Sequence, residues 1–238
     1  MSGKAPSASG FQFELTGGAL CFDFANTVDS RCTPKQRVDH LTGSKALASW
    51  GRQSGVVSAR KASELTRAAK KQSDAAGRVF RKAVELRETI YSVFSAIAGG
   101  GRPSEQDLLL LGSYAQEAFS HMHLIAGGRG FKWCLDQRSR DSLMTLLWPI
   151  AKSAVDLLVS GDLARVRECA ADNCGWLFMD RSRNQSRRWC DMKICGNREK
   201  VRRHRRAAGG TQAASSCSTK RKLAHFRQSF AKLITDKR

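Results

Sequence analysis

The chain has 238 residues, 41% of them hydrophobic, enough for a real core and for one ordinary domain plus a small module. Its 41 basic residues against 21 acidic ones leave a net charge of +20, and residues 163–238, with 20 basic and 6 acidic residues, hold +14 of it. No apolar run reaches the roughly 18 residues of a membrane span, and residues 1–10 lack the apolar stretch of a secretory signal. The composition therefore argues against a membrane protein. It points to a cytoplasmic chain whose basic last third meets a polyanion, nucleic acid before an anionic membrane surface.

Residues 1–10 read as a disordered tail. FQFEL (11–15) and ALCFDFA (19–25) flank Thr16-Gly17-Gly18, and each alternates apolar residues at period two, which predicts an N-terminal β-hairpin. Ser44 starts a short helix carrying Leu47 and Trp50, and residues 61–71 continue helically. Val79, Ala83, Leu86, Ile90, Val93 and Ile97 step by four and three along a long helix that Gly99-Gly100-Gly101 ends. Ser104 caps the next helix, with Asp107 three positions on, and Leu108, Leu111, Ala115, Ala118 and Met122 repeat the stepping. A second hairpin is expected where His123-Leu124-Ile125 and Phe131-Lys132-Trp133 flank GGRG at 127–130. Residues 139–159 form the most apolar helix, with Pro149 expected to kink it. The small, polar residues 207–219 read as a linker, and 223–234 as a short amphipathic helix.

Cys169-x4-Cys174 and Cys190-x4-Cys195 are two evenly spaced pairs separated by 15 residues. With no secretory signal the thiols stay reduced, so metal ligation is favoured over disulfides. A tetrahedral zinc ion takes four thiolates from two such turns, and a closed four-thiolate site leaves no open position for water, which makes it structural. An iron–sulfur cluster is the other four-thiolate reading, and it lacks a visible electron partner. The spacer opens with the strand-like Gly175-Trp176-Leu177-Phe178-Met179, as a metal-supported hairpin would, and residues 198–208 read as a helix. Cys21, Cys32, Cys134 and Cys217 are scattered and show no such pairing.

Trp189-Cys190-Asp191-Met192-Lys193-Ile194-Cys195-Gly196-Asn197-Arg198, preceded by Cys169-x4-Cys174 and the run Asp180 to Asn184, resembles the CGNR zinc finger. LCFDFANTVDSR (20–31) is similar to the start of the ABATE domain that accompanies it, through Asp23, Asn26, Thr27 and Arg31. The resemblance implies a stress-responsive bacterial transcription regulator, in which ABATE senses and the finger binds nucleic acid. The fold expected is mainly helical α+β: a disordered tail (1–10), an ABATE-like sensor domain (11–162), a treble-clef or ribbon-like module (163–208), and a basic linker and tail (209–238).

On a helix from Asn197, Arg198, Arg202, Arg205 and Arg206 share one broad face flanked by Lys200 and Arg203, and Arg181, Arg183, Arg187 and Arg188 add a second basic strip. Arginine both anchors phosphates and reads guanine in the major groove. Trp176, Phe178 and Trp189 are expected to fill a miniature core rather than stack on single-stranded bases, so duplex DNA is preferred over RNA. Asp23, Asn26 and Arg31 are the expected contacts of a small-molecule effector, its state passed on through helix 139–159. A homodimer is compatible with this reading. The competing classes are an RNA-binding zinc-ribbon-like protein and an enzyme with an unrecognised site in residues 11–162; Asp23, Asn26, Asp29, His40, His121 and His123 form no nucleophile–base–orienter spacing, so no catalytic residue is assigned.

Overall fold

The computed structural model describes residues 11–128, 130–136, 142–160 and 162–207. The expected tail, linker and C-terminal amphipathic helix, together with Cys217, lie outside the described residues.

Residues 11–25 do not form the expected hairpin. Leu20–Ala25 is a short helix, α1, and residues 11–16 carry no strand. The physical reason is enclosure: Cys21, Phe22, Phe24 and Ala25 are all fully buried. An apolar run buried on every side has no preferred periodicity, so it satisfies its backbone internally as helix. Phe22 meets Phe94 edge-on at 4.9 Å and Phe24 meets Trp50 at 4.8 Å. The segment before it is clipped by Gln53, whose side chain accepts from Phe13 N–H at 2.9 Å and donates to the Phe11 carbonyl at 2.8 Å.

Two short antiparallel strands follow, β1 (Val28–Asp29) and β2 (Val38–Asp39), with Val28 opposite Asp39. Helices α2 (Ser44–Gln53), α3 (Ala59–Lys71), α4 (Ser73–Ala98) and α5 (Glu105–Ser120) come next; α4 packs directly on α1, α3 packs on α2 and α4, and α5 packs on α4. The Ser104 hydroxyl accepts from Asp107 N–H at 3.1 Å, as the sequence predicts. The second hairpin is also present: β3 (Met122–Gly127) pairs with β4 (Gly130–Leu135), with Leu124 opposite Trp133. Helix α6 (Met144–Val159) runs on through Pro149, which has no N–H to give to the Thr145 carbonyl. Leu146, Leu147, Ile150, Ala151 and Ala154 of α6 close the core from the side opposite Leu86, Ile90 and Phe94 of α4. No helix among the described residues is long and apolar enough to cross a membrane.

Charge is buried beside this core. Glu88 of α4 accepts from Arg31 at 2.7 Å and from Arg87 at 2.8 Å, and Arg87, 1% exposed, reaches both carboxylate oxygens of Asp39 at 2.7 Å. Burial alone would raise the Glu88 carboxyl, but the Arg31 and Arg87 guanidiniums outweigh it and hold the group down at about 2. A depressed carboxyl stabilises the fold fully above its ordinary value of 4.5, and that contribution is lost as pH falls from there towards 2. Urea unfolding at pH 5 and pH 2.5 should show the loss in the wild type. Glu88→Gln should cost about 3–5 kcal/mol at neutral pH, because it strands buried guanidiniums, and should flatten the pH dependence in that window.

Candidate metal centre and nucleic-acid interface

The module begins with β5 (Val166–Glu168), paired antiparallel with β6 (Leu177–Met179) so that Glu168 faces Leu177. The strand expected at 175–179 is therefore present, but its partner precedes Cys169 instead of lying in the spacer. The two strands carry the first knuckle between them. Cys169 N–H donates to the Trp176 carbonyl at 2.8 Å and Cys174 N–H to the Ala171 carbonyl at 3.1 Å, which folds both thiols to one side.

The second knuckle is built by two aspartates. Asp180 accepts from the backbone N–H groups of Ser182 and Arg187, both at 2.9 Å, and fixes the 181–187 loop. Asp191 accepts from Lys193 N–H at 2.6 Å and Ile194 N–H at 2.9 Å, capping a π turn at Met192–Gly196 that runs into α7 (Asn197–Ala207). Cys195 lies in that turn, so a hairpin knuckle faces a helix start, as in a treble clef.

All four sulfurs lie within 4.8 Å of one another, with Cys174 to Cys190 at 3.7 Å and Cys190 to Cys195 at 3.6 Å. A tetrahedron with Zn–S bonds of about 2.3 Å has sulfur–sulfur edges of about 3.8 Å. Cys169, Cys174, Cys190 and Cys195 thus fit one structural zinc ion, which cross-links the two knuckles. The four cysteines, Ala171 and Phe178 form a separate small core, with Trp176 and Trp189 packed against it. Cys21 does not belong to this chemistry: it sits fully buried under α6, and burial pushes its thiol up to about 12.

The basic residues divide into two groups. Arg187 stacks over Phe178 at 4.5 Å, donates to the Trp189 carbonyl at 2.9 Å and also reaches the Cys190 carbonyl. Arg202 pairs with Glu199 at 2.5 Å and with Asp172 of the first knuckle. Arg198 donates to Asn173 Oδ1 at 3.2 Å. The face of α7 expected to meet phosphates therefore turns partly inward, because acidic and amide groups of the first knuckle attract it. Arg183, Arg188, Lys200, Arg203 and Arg205 are exposed; Arg181 is exposed while bonded to the Gly18 carbonyl at 3.0 Å, and the Arg206 side chain lies outside the described residues.

The expected effector contacts do not converge on an open site. Asn26, 3% exposed, donates to the Leu177 carbonyl at 2.8 Å and accepts from Leu177 N–H at 2.9 Å. Arg31 is bound to Glu88 and to the Ala25 carbonyl, and Asp23 accepts from Gly17 N–H at 2.8 Å, burial raising its carboxyl to about 6. Of these, the Asn26 side chain and the Arg31 backbone instead seat the zinc module on the helical domain, while Asp23 and the Arg31 guanidinium are bound within that domain. Arg31 N–H donates to the Cys174 carbonyl at 3.1 Å and Trp176 Nε1 to the Val28 carbonyl at 3.0 Å. The approach needs Gly175, whose φ is +78° and where a Cβ would meet Arg31 at 3.1 Å. No sequence signal pairs Asn26 with a residue 151 positions away.

Residues 18–161 match the ABATE family, described as a putative stress-induced transcription regulator. The chain belongs to the ABATE family. Residues 165–208 match the CGNR zinc finger, so the architecture read from the two motifs is present in this order. Neither family description is enzymatic. No curated protein matches the sequence.

Metal analysis of this ABATE protein should give one zinc per chain, and Cys195→Ser should abolish it. Because Leu177 and Met179 of the module pack in the main core, zinc loss should also lower the melting temperature of the helical domain. Asn26→Ala, which leaves two buried backbone groups unpaired, should cost about 2–5 kcal/mol by urea unfolding.

Proposed function

We propose that the protein is a DNA-binding transcription regulator whose zinc module docks on duplex DNA and whose helical domain receives a signal. What carries the reading is the division of the arginines. Arg187 and Arg202 hold the two knuckles rigid, while Arg183, Arg188, Lys200, Arg203 and Arg205 are exposed on the loop and helix around them. On α7, Lys200 and Arg203 sit on the side away from Arg198, the residue that reaches the first knuckle. A rigid cationic edge of this kind suits phosphates at fixed spacing, and a helix beside it suits a major groove.

Duplex DNA is favoured over single-stranded RNA because the aromatic residues are already occupied. Phe178 is fully buried under Arg187, Trp176 is bonded to the Val28 carbonyl, and Trp189 packs on the small core. Stacking platforms for unpaired bases need free faces.

Competing randomised duplex DNA and RNA pools should enrich duplex DNA on the zinc-loaded protein; enrichment of neither would end the reading. With about six phosphates contacted, log K should fall against log salt with a slope near −5, and replacing Lys200, Arg203 and Arg205 together should flatten it by about 3. Arg202→Ala should behave differently, weakening zinc retention before it changes the slope.

A further inference from the structure

A groove of about 1140 Å³ opens between the start of α3, the outer face of α6 and the β3–β4 hairpin, and it reaches the zinc module at Arg181. This is larger than the few hundred cubic ångströms a small organic ligand needs. Val57, Trp133, Leu135 and Leu157 give it apolar walls, and Trp133 is 43% exposed there.

Its charge is one-sided. Among the described residues, five cations face two carboxylates across the groove. Glu64 is held by Arg60 at 3.0 Å and Lys61 at 3.5 Å, and Asp156 by Lys152 at 2.5 Å, so both carboxylates are neutralised locally. Lys132 and Arg181 line the groove with no carboxylate bonded to either among the described residues, and Lys152 lies 5.7 Å from the centroid of the Trp133 ring. An aromatic wall under a cationic rim selects a ligand with an apolar body and an anionic head.

We propose that this groove binds an amphipathic organic anion, and that the anion acts on the finger through Arg181. The Arg181 guanidinium is anchored on the Gly18 carbonyl at 3.0 Å, and Arg181 is the first residue of the loop that presents Arg183 and Arg188. An anion that draws Arg181 off Gly18 moves the root of that loop. Ligand binding stands independently of the nucleic-acid reading; the regulatory half rests on it, and by reciprocity duplex DNA must shift anion affinity by the same factor.

The probe is anilinonaphthalene sulfonate, titrated into the full-length zinc-loaded protein. It should saturate at one site and take energy from Trp133, so that transfer falls in Trp133→Phe to what the remaining tryptophans supply. Decanoate below its micellar range should displace it, with decanol and decyltrimethylammonium at least tenfold weaker. Lys132→Glu with Arg181→Glu should weaken the probe at least tenfold at unchanged zinc content, whereas Arg181→Lys should retain binding; Lys132→Glu alone, at an exposed position, keeps the test open if the double variant does not fold. Non-saturable binding, equal displacement by decanol, or a folded charge-reversal variant of unchanged affinity would overturn the assignment. Loss of duplex binding with probe binding intact removes the DNA reading and leaves the groove standing; the opposite result removes the groove alone.

Discussion

Asn26 closes both of its side-chain hydrogen bonds on a single backbone unit, that of Leu177. An amide side chain that both donates to and accepts from one residue acts as an extra strand position, and here it extends β6 onto the end of α1. Around that clamp the rest of the molecule is ordered. The Met179 N–H donates to the Gly17 carbonyl, Trp176 to Val28, and Arg31 to Cys174, so the strand that follows the first knuckle is sewn to the helical domain along its length. Tyr91 and Ser95 of α4 add bonds to Glu168 on the neighbouring strand, at 3.2 and 2.7 Å. The knuckle geometry is therefore inherited from the helical domain as much as from the metal.

Charge is used in two opposite ways. In the helical domain Arg31, Arg87 and Glu88 are withdrawn from water and paired with one another, with Asp39 at the rim, which costs desolvation but fixes one arrangement of β1, β2 and α4. In the zinc module most of the positive charge is held at the surface, while Arg187 is recruited inward against the nearby Trp189 carbonyl, Arg165 against the Asp180 carbonyl and Arg202 against Asp172 of the first knuckle. A small module with little apolar area can thus gain rigidity from polar contacts without neutralising its outer face.

How far the sequence could be read follows the range of the interactions. The zinc ligands were legible because four thiols at fixed local spacing have one compact solution, and the Ser104 cap and the 122–135 hairpin because their signals lie within a few residues. The fate of residues 20–25 was not legible: Leu20, Phe22 and Phe24 alternate as a strand would, and only the presence of α4 and α6 on both sides makes the run a helix. The same limit hid the division among the arginines. Arg198 and Arg202 look equivalent to Arg205 on a helical wheel, and the difference is set by Asp172 and Asn173, which come from another turn of the chain. Asp23, Asn26 and Arg31 read from the sequence as contacts of a small effector, whereas their hydrogen-bond partners in the structure, Gly17, Leu177 and Glu88, belong to the protein itself and lie too far along the chain, in the last two cases, for local pattern to reveal.

Strand β6 is only three residues long, and its side chains serve two interiors. Leu177 and Met179 point into the large helical core, while Phe178 between them points into the cysteine core. The pleat thus makes one short strand a party wall, and period-two alternation is what keeps the two interiors apart. A single residue inserted or deleted between Cys174 and Leu177 would turn every side chain of that wall to face the wrong room. The length of this link is consequently held fixed from both sides, and the finger could change its outer surface freely in the course of divergence while its junction with the helical domain could not change length at all.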